Sequence, residues 1–116
     1  MKTFITMAAL IIAAGPAAAQ RTVDGNWPTK PIRLIVPQAP GGSNDIMARF
    51  VGGLIAERWK TQVVVDNRPG AEGVIGSELV ARAAPDGYTL LQASTAFTMN
   101  PSMLKKLPYD SAKDFD

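Results

Sequence analysis

The chain has 116 residues, 47% of them hydrophobic, with 12 Lys and Arg against 10 Asp and Glu, a formal charge of +2, and neither histidine nor cysteine. That length holds one small domain at most, and basic residues so evenly balanced and scattered exclude an electrostatic footprint for nucleic acid. The missing residue types exclude disulfide staples, thiol chemistry, a lipid-modified cysteine and an imidazole base.

Residues 1–19 read as an export signal: Lys2 supplies the positive start, Phe4 to Ala14 the apolar middle, and Ala17-Ala18-Ala19 a small-residue cleavage site. The apolar run is shorter than the roughly 20 residues a spanning helix needs, and Gly15-Pro16 interrupts it, so cleavage is favoured over a retained anchor. No other stretch suits insertion into a membrane. Residues 20–27 read as a flexible leader whose Trp27 is a hydrophobic anchor on the outside of the domain. Residues 28–116 then form the folded unit.

Ile32, Leu34, Ile35 and Val36, bounded by Pro31 and Pro37, predict a strand buried on both faces. After it, Ala39-Pro40-Gly41-Gly42 turns the chain, and Ser43, Asn44 and Asp45 suit a helix start because short polar side chains accept from the orphan amides of a first turn. Strand, glycine turn and helix N-terminus in that order make an anion trap, where free amides and the helix dipole favour negative charge. Spacing alone equally allows a plain connection whose glycines only permit the turn. From Ile46 to Trp59, the positions Ile46, Met47, Phe50, Val51, Leu54, Ile55 and Trp59 recur at helical spacing and predict an amphipathic helix with that face toward the core. Gly52-Gly53 costs about 1 kcal/mol per glycine, which implies close packing there.

Val63-Val64-Val65 predicts a second buried strand, ended by the turn cluster Asp66-Asn67-Arg68-Pro69-Gly70. A second helix opens within Ala71 to Gly76 and runs to Ala84, where Pro85-Asp86-Gly87 stops it. Tyr88 to Ala93 is a third strand, followed by Ser94-Thr95 and a mixed segment from Ala96 to Leu104. The expected fold is therefore α/β, a parallel β-α-β-α-β sheet in the order 2-1-3 with right-handed crossovers. Its crevice would lie at the carboxyl ends of strands one and three, bordered by Pro37–Asp45 and Ser94–Asn100, with Asn67–Gly73 beside it.

The glycines from Gly70 to Gly76 do not follow the dinucleotide pattern, and Gly41-Gly42 lacks the Lys-Ser/Thr pair of a nucleotide loop. Ser43, Ser94 and Thr95 have no imidazole to activate them. Asp45, Asp66 and Glu72 could ligate a metal, but each follows a strand, where capping or turn formation is the ordinary role. What remains is a group of backbone amides and hydroxyls around one crevice, suited to reversible capture of a small carboxylate.

Six motifs carry a resemblance: Ile32–Pro37, Ala39–Asp45, Val64–Ala71, Ala83–Leu91, Asn100-Pro101 and Leu107-Pro108-Tyr109-Asp110. Together, and in this order, the chain resembles the substrate-binding receptors of tripartite tricarboxylate transporters, the Bug family. The resemblance implies a two-lobed, hinge-closing periplasmic receptor that needs no cofactor and hands small organic acids or amino-acid-like carboxylates to membrane transporter subunits. It implies ligand contacts from Ala39, Pro40, Gly41, Gly42, Ser43 and Asp45, from Gly70, Ala71 and Gly73, and from Ser94 and Thr95. Two departures stand out. Glu72 occupies a position where the family usually has a small residue, so it either points to solvent or faces a ligand bearing an amino or amide group. Family members are also much longer, so residues 28–116 would be only part of a first lobe, and half a cleft would bind weakly. An interaction or sensing module, or a truncated product without function, are the competing readings; an α/β enzyme domain is the least favoured.

Overall fold

The computed structural model describes residues 25–116. The export-signal reading and most of the leader lie outside the described residues.

The segment after Pro31, apolar except for Arg33, becomes β1 (Ile32–Val36), with four of its five residues buried. It pairs in parallel along both of its edges, with β2 (Val63–Asn67) and β3 (Thr89–Leu91), in the order β2-β1-β3. The expected sheet order is the observed one. Leu34 sits in register between Val65 and Leu90. With Val36 it packs against Ala48 of α1 (Ser43–Trp59) and against Val63, Val65 and Leu90. Helix α2 (Val74–Ala81) contacts β1 and β3. Right-handed crossovers that run in opposite directions along a sheet put their helices on opposite faces, so the sheet lies between α1 and α2.

The sheet-facing side of α1 corrects the sequence expectation. Asp45, Ala48 and Gly52 are its buried residues, whereas Ile46, Met47, Phe50, Leu54 and Trp59 are all 45–64% exposed. Periodicity finds an apolar stripe but does not say which stripe meets the sheet. Here small residues let the helix backbone approach closely: a Cβ on Gly52 would lie 3.2 Å from Val63 Cγ1, while Gly53 faces open space. Only the first of the two glycines therefore has the packing role expected of both.

Five other expectations need correction. Strand β2 is an edge strand with Val64 exposed, not a buried one. It also runs on through Asp66 and Asn67, which continue the register opposite Ile35 and Val36. The Asp66 carboxylate is bound by Arg33 and by both Nε and Nη2 of Arg68, which makes a charged residue compatible with the strand. Strand β3 is shorter than Tyr88 to Ala93, and α2 stops at Ala81 instead of Ala84. The mixed segment contains a helix, α3 (Thr95–Met103), that no apolar stripe announces and that carries Pro101 inside it.

Aromatic clusters finish the two ends. Trp27 packs edge-on against Trp59 at 5.8 Å and tilts over Tyr88 at 5.9 Å, and the Thr29 amide donates to the Tyr88 hydroxyl at 2.8 Å. The anchor role expected of Trp27 is thus visible in its contacts. Phe97 stacks on Tyr109, and Phe115 meets both rings edge-on.

Because β1 is covered on both faces and β2 is not, truncation should discriminate sharply between them. Ile35→Ala is expected to lower the unfolding free energy by about 2–5 kcal/mol. Val64→Ala should stay within about 0.5 kcal/mol of the parent. Urea denaturation followed by circular dichroism checks both.

Candidate functional site

Parallel strands put every βα connection at one end of the sheet, so three loops meet there. The first follows β1. Its shape depends on Asp45, which is 4% exposed and accepts from the Gly41 amide at 2.9 Å, Asn67 Nδ2 at 3.0 Å and Arg49 Nε at 3.1 Å. The expected capping does not occur: Gly42 is the N-cap of α1, and no side chain bonds to the first turn. Asp45 instead reaches backward and staples the loop to the helix. Gly41 meets that bond at φ +86, a conformation glycine adopts readily. Asn67 completes the arrangement from β2, its amide nitrogen also donating to the Gln38 carbonyl at 3.1 Å while its oxygen accepts from Arg49 Nη2 at 3.3 Å. The Asn44 amide donates to the Gln38 side chain. The Arg49 hydrogen bond, followed by those from Gly41 and Asn67, pulls the Asp45 carboxyl down to about 2. Its charge is therefore fully engaged inside the loop.

The second loop is conformationally unusual. Gly70, Ala71, Glu72 and Gly73 have φ of +128, +47, +54 and +83. Two of these are not glycine, and each such residue costs roughly 1–2 kcal/mol in the left-handed region. What holds the turn is the capture of its carbonyls. The Gly70 carbonyl accepts from the Gly73 amide at 3.0 Å, the Glu72 carbonyl from buried Asn100 Nδ2 at 3.1 Å, and the Gly73 carbonyl from the buried Ser77 hydroxyl at 2.9 Å. The Glu72 side chain is exposed. Gly76 jams this turn against the first loop: a Cβ there would lie 2.8 Å from Pro37 Cβ and 2.9 Å from the Arg68 carbonyl. The Arg68 amide donates to Val36 at 2.7 Å, tying the exits of β1 and β2 together.

The third loop is short. The Gln92 amide donates to the Ile35 carbonyl at 2.8 Å, and Ser94 is the N-cap of α3, again without a side-chain cap bond. Asn100 links α3 to the second loop.

Ala39, Pro40, Gly41, Gly42 and Ser43 thus lie exposed on the first loop, with Asp45 buried beneath them. Gly70 and Ala71 are exposed on the second, and Gly73 is buried against Pro37. Ser94 is buried and Thr95 exposed on the third. Sequence reasoning did not single out Asn67, Ser77 and Asn100 as the residues that shape these loops. Asn67 sits in a run that reads as turn punctuation, and neither Ser77 nor Asn100 lies in a pattern that shows its carbonyl partner.

Helices α1, α2 and α3 all begin at this end, and none has a side-chain cap on its first turn. Orphan amides and three positive dipole ends therefore gather where the carbonyls of the second loop are already bound. The arrangement can hold an anion. It offers no nucleophile and base in contact, and among the described residues no cluster of acidic side chains could hold a metal. No helix among them is long and apolar enough to cross a membrane.

The three-stranded parallel sheet in the order β2-β1-β3 matches solved structures of periplasmic binding proteins, of which it forms part of a lobe. A family profile described as the tripartite tricarboxylate transporter family receptor matches residues 47–116, and the chain belongs to that family. It is 41% identical over 116 residues to a UPF0065 protein of Bordetella bronchiseptica, covering 99% of this chain and 33% of that one. The solved periplasmic binding protein BugD is 35% identical with a TM-score of 0.69, covering 76% of this chain and 29% of its own. R. palustris Rpa4515, solved with adipate, is 32% identical with a TM-score of 0.70 over 74% of this chain and 29% of its own. The chain therefore spans about a third of the length of the curated relative.

The Asp45 carboxyl is more acidic folded than its ordinary 3.8, so the stability it contributes is complete above that value and disappears as pH falls toward about 2. Melting temperature measured across this range should decline in the parent and decline less in Asp45→Asn, which starts lower. In the second loop, Ala71→Gly should raise stability by about 1 kcal/mol by relieving the left-handed backbone. Gly73→Ala should lower it, and chemical denaturation compares the pair.

Proposed function

We propose that the chain is the carboxylate-capturing part of a periplasmic solute-binding receptor, serving a tripartite tricarboxylate-type transporter. The observation that carries this reading is the treatment of backbone groups at the loop end: second-loop carbonyls are bound internally, while the first turns of α1 and α3 carry no side-chain cap. Such a surface attracts a carboxylate and repels a carbonyl-rich ligand. The adipate held by the R. palustris relative supports a small organic acid as the class of ligand.

In this reading Ala39 to Ser43 present the first loop to the ligand, Gly70 and Ala71 the second, and Thr95 the third. Asp45 acts through the loop it staples, and Gly73 and Ser94 act through the backbone they position. The protein binds and releases its ligand without chemistry and takes no cofactor. Residues 1–19 act as the export signal that brings it to the periplasm, and residues 28–116 form part of a first lobe. Pockets bury roughly 70% or more of a small ligand. One wall cannot do this, so affinity is weak.

Titrating the isotopically labelled chain with adipate, citrate and aspartate tests the reading by amide chemical shifts. Movement confined to residues 41–44 and 70–73, with apparent Kd values of about 1 mM or weaker, is expected. Unmoved amides in both loops would refute carboxylate capture, and micromolar affinity would refute the single-wall argument.

A further inference from the structure

Strand β2 has one bonded edge and one open edge. The Ile32 amide donates to the Gln62 carbonyl at 2.9 Å, and the Arg68 amide donates to the Val36 carbonyl at 2.7 Å. Alternate residues of a parallel strand bond the same neighbour, so Val64 and Asp66 turn toward β1 with them, and Val63 and Val65 turn their N–H and C=O groups outward. Among the described residues no strand pairs with that side. Nothing blunts it either: the strand holds no lysine or proline, and its one charged residue, Asp66, is already bound by Arg33 and Arg68.

Beside this edge lies a groove of about 310 Å³, lined by Arg49, Gly52, Gly53 and Ala56 of α1 and by Val63 and Val65. Gly53 is the residue that the chain's own packing does not explain. A glycine inside a helix costs stability relative to alanine, yet a Cβ at this position would meet nothing within 4 Å. Its absence serves only a surface that approaches α1 from outside. Arg49, Gly53 and Glu57 follow one another at four-residue spacing along one side of the helix, a cation before the glycine and an anion after it. Arg49 is 56% exposed, with Nε on Asp45 and Nη2 on Asn67, which fixes the guanidinium and leaves Nη1 uncommitted. Glu57 is exposed and forms no ion pair among the described residues.

We propose that this edge joins two copies of the chain as an antiparallel pair, in which Val63 of each copy exchanges hydrogen bonds with Val65 of the other and Arg49 of each α1 faces Glu57 of the other. Strand and helix call for the same axis. A Cβ on Gly52 would lie 3.2 Å from Val63 Cγ1 and 3.7 Å from Val65 Cγ2, so an axis passing between those strand residues also passes close to Gly53. In this register Val64, 43% exposed in the single chain, is covered by Val64 of the second copy. A two-fold interface must complement itself, and here the backbone groups, an apolar contact and a charge pair all do so. Antiparallel pairing sets the two loop ends at opposite ends of the joined sheet, and the inference does not draw on carboxylate capture.

Sedimentation of the full chain over a dilution series tests it, with amide hydrogen exchange measured at both ends of the series. A monomer–dimer equilibrium is expected, with exchange at the Val63 and Val65 amides slowed about tenfold or more where the dimer dominates. Gly53→Leu fills space that is empty in the single chain, so it should weaken the dimer about tenfold or more while the monomer resists urea at least as well as the parent. Glu57→Lys sets like charges against each other and should weaken the dimer most at low salt. A chain that stays monomeric throughout overturns the proposal, as does a dimer that Gly53→Leu leaves intact. A dimer in which the two valine amides exchange as fast as in the monomer also overturns it, the result expected if association runs instead through the exposed stripe of Ile46, Phe50 and Leu54.

Discussion

One buried carboxylate organises the loop end of this protein. Asp45 belongs to the first turn of α1, yet its bonds go to a loop amide, a strand side chain and an arginine one turn along. Through Asn67 it couples the exits of β1 and β2, and through Gly41 it sets how far the first loop stands from the helix. Because the side chain turns backward, the helix start is left uncapped. The acidic group beneath the first loop is thereby offset by its own neighbours, Arg49 first among them.

The same division of labour recurs in the second loop with different groups. Asn100 and Ser77 are buried polar residues whose partners are carbonyls, while the amides of the same peptide units, those of Gly73 and Val74, donate to the Gly70 and Ala71 carbonyls. Left-handed backbone at Ala71 and Glu72 is tolerated because these bonds and the Pro37 contact over-determine the turn. Side chains thus serve as scaffolding for the main chain of this loop.

Much of the sheet was legible in the sequence because β1 is a run bounded by prolines and apolar except for Arg33, and because two long connections force parallel strands. Strand order 2-1-3 followed once each right-handed crossover was taken to place its helix on a different face of the sheet. The orientation of α1 was not legible: its strongest apolar stripe faces away from the sheet, and the true contact stripe of Asp45, Ala48 and Gly52 reads as polar and small. Helix α3 was hidden by Pro101 and by the lack of any stripe. At the candidate site, glycine turns and helix starts could be read directly, whereas Asn67, Ser77 and Asn100 act on backbone atoms distant in sequence. Such pairings become visible only when the fold brings them together.

The two tryptophans of this chain, Trp27 and Trp59, sit 5.8 Å apart at the end of the sheet opposite the loops. Intrinsic fluorescence excited through indole therefore monitors the base of the domain and is poorly placed to sense events at its mouth. An emission change would report loosening of the leader and the tail of α1, and a silent signal would be compatible with an occupied upper surface.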